Sequence, residues 1–306
     1  MNRRQFLQVS TVAAASPALA GTPIPHRRLG KTGMDVAILA LGGFHMAAGN
    51  SDADAIRIIH RAIDLGINFR DSVWKYHDGR SDEIYGKALT EGRRHKIFLM
   101  TKANARDRAG CQKQLEESLR RMKTDYLDLW QVHEVSRPDE VDRIFGPNGA
   151  LETVVKAKQE GKVRHIGFTG HHDPQVHLKL LHGYDGWETL QCPVNLIDPH
   201  YLSFIQAVLP AARKKGLGII AMKTNAIGNI TKNQIATIPE CLRFAWSQDV
   251  DVVVSGMDKL EYLEENVAAA KSFRPMSGVE QHVLLTRTGK GPFGSQVEQY
   301  KKKENA

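Results

Sequence analysis

Eight short apolar runs, rich in Val and Ile, alternate along this chain with longer stretches of helical period. The runs lie at 36–42, 68–72, 97–102, 126–133, 165–169, 189–194, 218–223 and 250–255. The helical stretches between and after them lie at 54–65, 81–90, 110–122, 148–160, 174–182, 203–215, 239–247 and 259–271. Runs of that length with that composition read as buried strands, and the longer periodic stretches read as helices packed over them. Eight strands alternating with eight helices close into one parallel barrel or split into two doubly wound sheets. No linker rich in Pro, Gly or Ser divides the chain, so a single α/β domain, a (β/α)8 TIM barrel, is expected.

Local signals support these boundaries. Asp52 is placed to cap the first helix, and Ser81 followed by Asp82-Glu83 puts acid in the opening turn of the second. Gly66, Gly161 and Gly216 follow helices where a left-handed residue is needed. Arg28 to Val36, with Gly30 and Gly33 inside it, reads as a β-hairpin that plugs the N-terminal mouth of the barrel. From Arg274 onward no strong period survives. The barrel core is therefore expected over about 27–275, with a loop-like tail over 276–306.

The first twenty residues read as an address. Arg3-Arg4 precede Phe6-Leu7, a mildly apolar stretch follows from Val9 to Leu19, and Ala18-Leu19-Ala20 closes it. A charged start, an apolar middle and a small-x-small exit make a secretory signal, and the arginine pair marks the twin-arginine type. The apolar part is about 11 residues, too short to span a bilayer, which needs roughly 20. Cleavage after Ala20, passage through the twin-arginine export machinery and a periplasmic location are expected for the domain at 21–306. No stable membrane insertion is expected.

Charge narrows the partners further. The formal net charge is +8, from 42 Lys+Arg against 34 Asp+Glu. The basic residues are scattered, and the one dense run is Lys301-Lys302-Lys303. Neither a basic stripe nor a nucleic-acid-binding motif is present, so no nucleic-acid partner is expected. Cys111, Cys192 and Cys241 are far apart and odd in number, which excludes a complete disulfide framework. Cys192, inside the apolar run Leu190 to Val194, reads as a small buried hydrophobe. His171-His172, His177 and His182 cluster near the fifth helix, but no metal-ligand spacing occurs and no metal site is expected.

Barrel enzymes carry their chemistry where strands end at the C-terminal mouth. The second strand ends at Asp71, the third at Lys102 and the fourth at His133, while Tyr76 lies five residues beyond Asp71. Each alone is more often a surface ion pair or a structural group. Together they have a coherent chemistry. A free tyrosine has a pKa near 10, and a neighbouring ammonium lowers it. An aspartate holds that lysine, and a neutral histidine orients a carbonyl oxygen under the phenol. Such a set protonates an oxyanion while hydride reaches the carbon.

The same residues carry a family resemblance. Arg28-Leu-Gly-Lys-Thr-Gly33 resembles the start of bacterial aldo/keto reductases, and Asp71-Ser-Val-Trp-Lys-Tyr76 is similar to their Asp-Thr-Ala-x-x-Tyr segment. Met100-Thr-Lys102 and Asp125-Tyr-Leu-Asp-Leu-Trp-Gln-Val-His133 match two further strand ends. The resemblance runs from about residue 27 to residue 275. It implies a NAD(P)-dependent oxidoreductase with Asp71, Tyr76, Lys102 and His133 as its tetrad, Tyr76 being the general acid and base.

The cofactor half matches in part. Where the family has Ser-Asn at the fifth strand end, this chain has Thr169-Gly170; the threonine hydroxyl can replace the serine, but glycine cannot replace the amide. Gln191 matches the next carboxamide contact. Met222-Lys223 stands where an aromatic commonly stacks on nicotinamide, leaving Lys223 and loop amides to meet phosphates. Ser255-Gly256 and Lys259 lead to Glu265-Asn266, which resemble the adenine contacts, and the helix start there offers amides to a phosphate. Tyr262 replaces an arginine that meets the 2′-phosphate, with Lys259 nearby to compensate. The resemblance favours NADP(H) over NAD(H). No G-x-G-x-x-G follows a strand, so no Rossmann site is expected.

Three functions fit these residues. The first is hydride transfer between a nicotinamide cofactor and a small carbonyl or alcohol substrate. The second is a cofactor-holding sensor or regulatory protein with little turnover. The third is a redox-neutral isomerase or epimerase with tightly held cofactor, an arrangement that export favours. Loops 103–110, 134–147 and 224–237 carry no readable substrate preference, and the sequence leaves the oligomeric state open.

Overall fold

The structure, a computed structural model, describes residues 22–291 and 294–301. The expected signal at 1–20 lies outside the described residues. Two short strands, β1 (His26–Arg28) and β2 (Asp35–Ala37), pair antiparallel as a hairpin. Eight parallel strands then close a barrel in chain order: β3 (Leu39–Gly42), β4 (Phe69–Asp71), β5 (Phe98–Ala103), β6 (Leu127–Val132), β7 (Val163–Thr169), β8 (Thr189–Pro193), β9 (Gly218–Met222) and β10 (Val252–Gly256). The last pairs with the first, Val253 opposite Leu39. The single (β/α)8 barrel read from the alternation is therefore the fold.

The helices on the outside are α1 (Gly43–Ala47), α2 (Asp52–Asp64), α3 (Arg80–Ala88), α4 (Arg108–Met122), α5 (Pro138–Phe145), α6 (Ala150–Gln159), α7 (Pro174–Gly183), α8 (Phe204–Lys214), α9 (Asn229–Lys232), α10 (Ile238–Trp246), α11 (Leu260–Lys271) and α12 (Gly278–Thr288). The cap of α2 is Ser51, whose side chain accepts from the Asp54 amide at 3.1 Å. Asp52, expected in that role, is the first helical residue instead, where its charge still meets the positive helix end. Gly66, Gly161 and Gly216 all take the left-handed backbone expected of them.

Four helices depart from the sequence reading, α1 and α9 being short turns of five and four residues. α5 lies inside what reads as a substrate loop; Pro138 starts it, and Val141 and Ile144 bury its inner face. α12 lies in the tail, read as loop. Its outer positions Val279 and Val283 are exposed apolars, which blurs the period, and a reciprocal cap between Ser277 and Glu280 starts it.

The hairpin closes the barrel floor as expected. Leu29 is fully buried among Ala40, Phe69, Phe98, Met100, Leu129, Ile220 and Val252, which fill the lower barrel interior. Phe69 and Phe98 stack there with centroids 5.0 Å apart. Gly30 has a left-handed φ of 44°, and a Cβ on it would lie 2.2 Å from the Gly218 nitrogen at the foot of β9. Only glycine lets the hairpin press that close.

The tail, by contrast, returns to the opposite mouth. Lys301, read as part of an open basic run, has its side chain fully buried between Asp198 and Glu298, at 2.7 Å from each. Its ammonium also donates to the Tyr201 carbonyl at 2.8 Å. An ammonium among two carboxylates and a carbonyl is satisfied without water, which is what permits its burial.

Candidate active site

Asp71 ends β4, Lys102 is the next-to-last residue of β5, and His133 directly follows β6. All three are buried at the C-terminal mouth. Beyond Asp71 the chain keeps pairing with β5: the Ser72 amide donates to the Met100 carbonyl at 3.0 Å and the Trp74 amide to the Lys102 carbonyl at 3.1 Å. The Trp74 indole then donates to Glu117 Oε2 at 2.8 Å, and Arg121 donates to the Trp74 carbonyl at 3.0 Å. This pinned segment delivers Tyr76, whose ring meets His133 edge-on with centroids 6.0 Å apart. The four residues read as a tetrad therefore share one mouth.

Lys102 Nζ donates to Asp71 Oδ1 and, at 3.0 Å, to the Ser72 carbonyl. Burial lowers the lysine pKa, while Asp71 and, behind it, Asp82 oppose that shift. Asp82 is itself fully buried and accepts from Ser72 Oγ at 2.6 Å, Thr101 Oγ1 at 3.2 Å and Ser118 Oγ at 2.7 Å. Three hydroxyl donors on two oxygens suit a carboxylate, although burial pushes its pKa up.

The Asn104 amide donates to His133 Nδ1 at 3.0 Å, which leaves the proton of the neutral ring on Nε2. Burial and the nearby Lys102 charge hold His133 well below the ordinary histidine range. The tyrosine departs from expectation. Burial first, then the charges of Asp71 and Glu134, push its pKa well above 10. Lys102, its charge shared with Asp71, does not offset these effects. Tyr76 thus stands protonated beside a neutral histidine, a pair able to donate to one oxygen.

The residues read as cofactor contacts form two groups. Thr169 ends β7 and Gln191 lies in β8 directly opposite it, both buried. Gln191 Oε1 is buried with no hydrogen-bond partner among the described residues, an acceptor left for an amide NH2. Gly170 has a steric reason: a Cβ there would lie 2.5 Å from the Val135 carbonyl and 2.7 Å from the His177 ring. His177, fully buried, occupies the room that an asparagine would need.

The second group gathers around the end of β10. Ser255 and Gly256 close that strand, Lys259 precedes α11, and Asn266 Nδ2 donates to Ser255 Oγ at 3.1 Å. Glu265 is exposed on the same helix. Lys259 lies over the Tyr262 ring, 5.5 Å from its centroid. The unpaired amides of the first turn of α11 complete an anion-holding surface. Both groups fit a nicotinamide dinucleotide, one at its carboxamide and the other at its adenosine phosphate. Lys223 follows β9, half-buried, with its ammonium over the Tyr300 ring at 5.1 Å.

Comparison with known proteins agrees with this geometry. The aldo/keto reductase family profile matches residues 38–241, about two thirds of the chain. The chain belongs to the aldo/keto reductase family. This aldo/keto reductase is 35% identical over 155 residues to the uncharacterized oxidoreductase YqkF of Bacillus subtilis, covering 47% of this chain and 48% of that protein. It is 26% identical over 306 residues to L-galactose dehydrogenase of Arabidopsis thaliana, covering 86% of this chain and 93% of the plant enzyme. The aldo-keto reductase AKR11C1 from Bacillus halodurans, in its holo form, superposes with a TM-score of 0.74 at 23% identity, covering 90% of this chain and 99% of that one. With YqkF, the match spans about half the relative's length.

Several groups in this mouth escape a motif-based reading. Glu134 sits immediately after His133 and could be found by adjacency alone. Asp82 reads only as an acid in a helix start. Tyr300 and Lys301 reach the mouth from the far end of the chain, and no local pattern announces that.

Proposed function

We propose that this aldo/keto reductase transfers hydride between a nicotinamide dinucleotide and a carbonyl or alcohol substrate, with Tyr76 as general acid and base. The observation that carries this reading is the convergence of a protonated Tyr76 and a neutral His133 beside the buried Asp71–Lys102 pair. The dinucleotide, when bound, supplies or accepts the hydride at the substrate carbon. His133 Nε2–H orients the carbonyl oxygen, and the Tyr76 hydroxyl gives its proton to the oxyanion as charge develops there. Lys102 stabilises the phenolate left behind, and Asp71 keeps the ammonium in place.

Thr169 and Gln191 hold the carboxamide, while Ser255, Gly256, Lys259, Glu265 and Asn266 hold the adenosine end. Lys259 beside the first turn of α11 favours NADP(H) over NAD(H), because it places a cation where a 2′-phosphate needs one. The twin-arginine signal at 1–20 carries the folded domain to the periplasm. A folded-export route suits an enzyme loaded with dinucleotide beforehand.

The deciding experiment replaces Tyr76 by Phe, which removes only the acidic hydroxyl. Carbonyl reduction should fall by roughly 10²-fold or more, the scale for losing a general acid. Dinucleotide affinity, followed by fluorescence titration, should persist. Near wild-type turnover in Tyr76→Phe rejects the assignment.

A further inference from the structure

His133 has a single ring proton to place. A second is opposed by burial and by the charges of Lys102, Lys75 and Arg106, with His171 beside them. The one that remains sits on Nδ1 or on Nε2, and the hydrogen bond made by one nitrogen decides what the other carries. Glu134 Oε2, 3.9 Å from Nδ1, does not decide it: that distance exceeds a hydrogen bond, and the oxygen accepts from Lys75 Nζ at 2.7 Å. Among the described residues the ring has one hydrogen-bonding neighbour, the Asn104 side chain, whose Nδ2 lies 3.0 Å from Nδ1. The choice of tautomer therefore falls to Asn104.

Asn104 directly follows β5 and is held there from two sides. Its main-chain amide and that of Ala105 both donate to Gln114 Oε1 on α4, at 2.7 and 3.0 Å. Arg106 donates to the Asn104 carbonyl at 2.9 Å and to the Glu134 carbonyl at 3.0 Å, which ties the turn after β5 to the turn that carries His133. At the tip of the side chain, Oδ1 is buried and has no hydrogen-bond partner among the described residues. Native structures leave few buried acceptors unpaired, and each calls for a reason. Here the reason is the other end of the same amide. Turned over, it would set Oδ1 against the ring, the proton would have to sit on Nδ1, and Nε2 would have nothing to donate.

We propose that Asn104 is a positioning residue, which fixes the tautomer of His133 and thereby places the donor on Nε2, facing the substrate oxygen. Asn104 acts on the substrate only through the histidine. Its effect on turnover rests on the hydride-transfer reading of the same site; its effect on the ring proton does not. Two substitutions separate this role from a structural one. Asp at 104 keeps the shape and inverts the polarity, because a carboxylate accepts where the amide donates. Leu at 104 removes donor and acceptor alike and leaves the ring without a guide. A residue that only fills space tolerates the isosteric Asp better than Leu. A residue that sets the tautomer ranks them the other way.

Nitrogen-15 NMR of the imidazole rings reads the proton directly, with the His133 signals identified by their loss in His133→Asn. At about pH 8.5, well above the ordinary histidine range near 6.5, the wild type should show the Nε2–H form, Asn104→Leu both forms, and Asn104→Asp the Nδ1–H form. Turnover is followed with NADPH and 4-nitrobenzaldehyde, a carbonyl probe whose carbon accepts hydride readily. There kcat should fall by roughly 10²-fold in Asn104→Asp, the scale for losing one donor to a developing oxyanion, and by less in Asn104→Leu. Dinucleotide affinity should be unchanged in both. A wild-type ring protonated on Nδ1 overturns the proposal, as does the Nε2–H form persisting alone in Asn104→Asp or in Asn104→Leu. So does a kcat in Asn104→Asp above that of Asn104→Leu. Failure of the hydride-transfer reading shows elsewhere, as turnover retained in Tyr76→Phe, and leaves the ring proton where NMR finds it.

Discussion

Asp82 reaches Lys102 through a single intervening residue: the Ser72 hydroxyl donates to Asp82 Oδ1 at 2.6 Å, and the Ser72 carbonyl accepts from Lys102 Nζ at 3.0 Å. The lysine thus lies between the carboxylate it pairs with, Asp71, and a second one buried behind it. Both favour its charged form against the effect of burial.

Asp82→Asn keeps the shape and removes that second charge. Lys102 should then lose its proton at lower pH, so the alkaline limb of the kcat profile moves toward neutrality by about half a pH unit or more. Asp82→Glu, which restores charge, should return the limb toward its original position. A kcat profile that superposes on wild type in Asp82→Asn shows that the carboxylate only supports the fold.

Lys102→Met should reduce kcat by roughly 10²-fold or more, as Tyr76→Phe does. It also leaves Asp71 as an unpaired buried carboxylate, a loss of about 3–5 kcal/mol when one member of such a pair goes. Adding Asp71→Asn should recover much of the stability and none of the activity. Denaturant midpoints and kcat measured on the single and double variants separate the two effects. Recovery of activity in the double variant would contradict the role given to Lys102.

The barrel is legible because strand and helix periods are local properties, and so are the strand-end positions of Asp71, Lys102 and His133. Tyr76 is legible through its spacing from Asp71. What the sequence hides is long-range. Asp82 looks like an ordinary acid in a helix start, yet its three hydroxyl partners come from β5, α4 and the loop after β4. Lys301 looks like a solvated tail charge, and only the return of the chain across the mouth sets it against Asp198. The direction of the tyrosine shift is hidden for another reason. It depends on how deeply the fold buries the ring beside Asp71 and Glu134, a matter of contact and not of spacing.

Acid should unfold this protein through its buried histidines. Burial lowers His177 to about 4, against about 6.5 when unfolded. The unfolded chain therefore binds protons more readily between those values, and stability falls as pH drops below about 6.5. At pH 5 this one residue should cost about 2 kcal/mol relative to pH 7.5. His133 and His171, also lowered, act in the same direction. His177→Leu should flatten the dependence of the urea midpoint on pH. An unchanged slope would show that His177 is not neutral in the folded state.

Export is tested by Arg3→Lys together with Arg4→Lys, which keeps charge and removes the guanidinium pair. The precursor should remain in the cytoplasm, and protein beginning at Gly21 should disappear from the periplasmic fraction. Unaltered export of the double variant would remove the twin-arginine reading.

The tail should behave as a latch held by one ammonium. Lys301 lies between Asp198 and Glu298, and Tyr300 beside it packs on Lys223 and, edge-on at 5.6 Å, on His171. Asp198 has other donors, the amides of Phe204 and Ile205 at the start of α8, at 3.0 and 2.9 Å. Its charge stays satisfied when the lysine goes. Glu298 is worse placed: it keeps Asn195 and Tyr300, both neutral, and burial already raises its pKa. Lys301→Met should therefore expel Glu298 rather than Asp198, freeing residues 294–301 and withdrawing Tyr300 from the mouth. KM should rise several-fold, and limited proteolysis should clip the carboxy-terminal end faster, as read by intact mass. Combining Lys301→Met with Glu298→Gln removes the stranded charge and should restore protection of the tail. Equal clipping of wild type and Lys301→Met would show that apolar contacts around Val297, and not the buried ammonium, hold the tail in place.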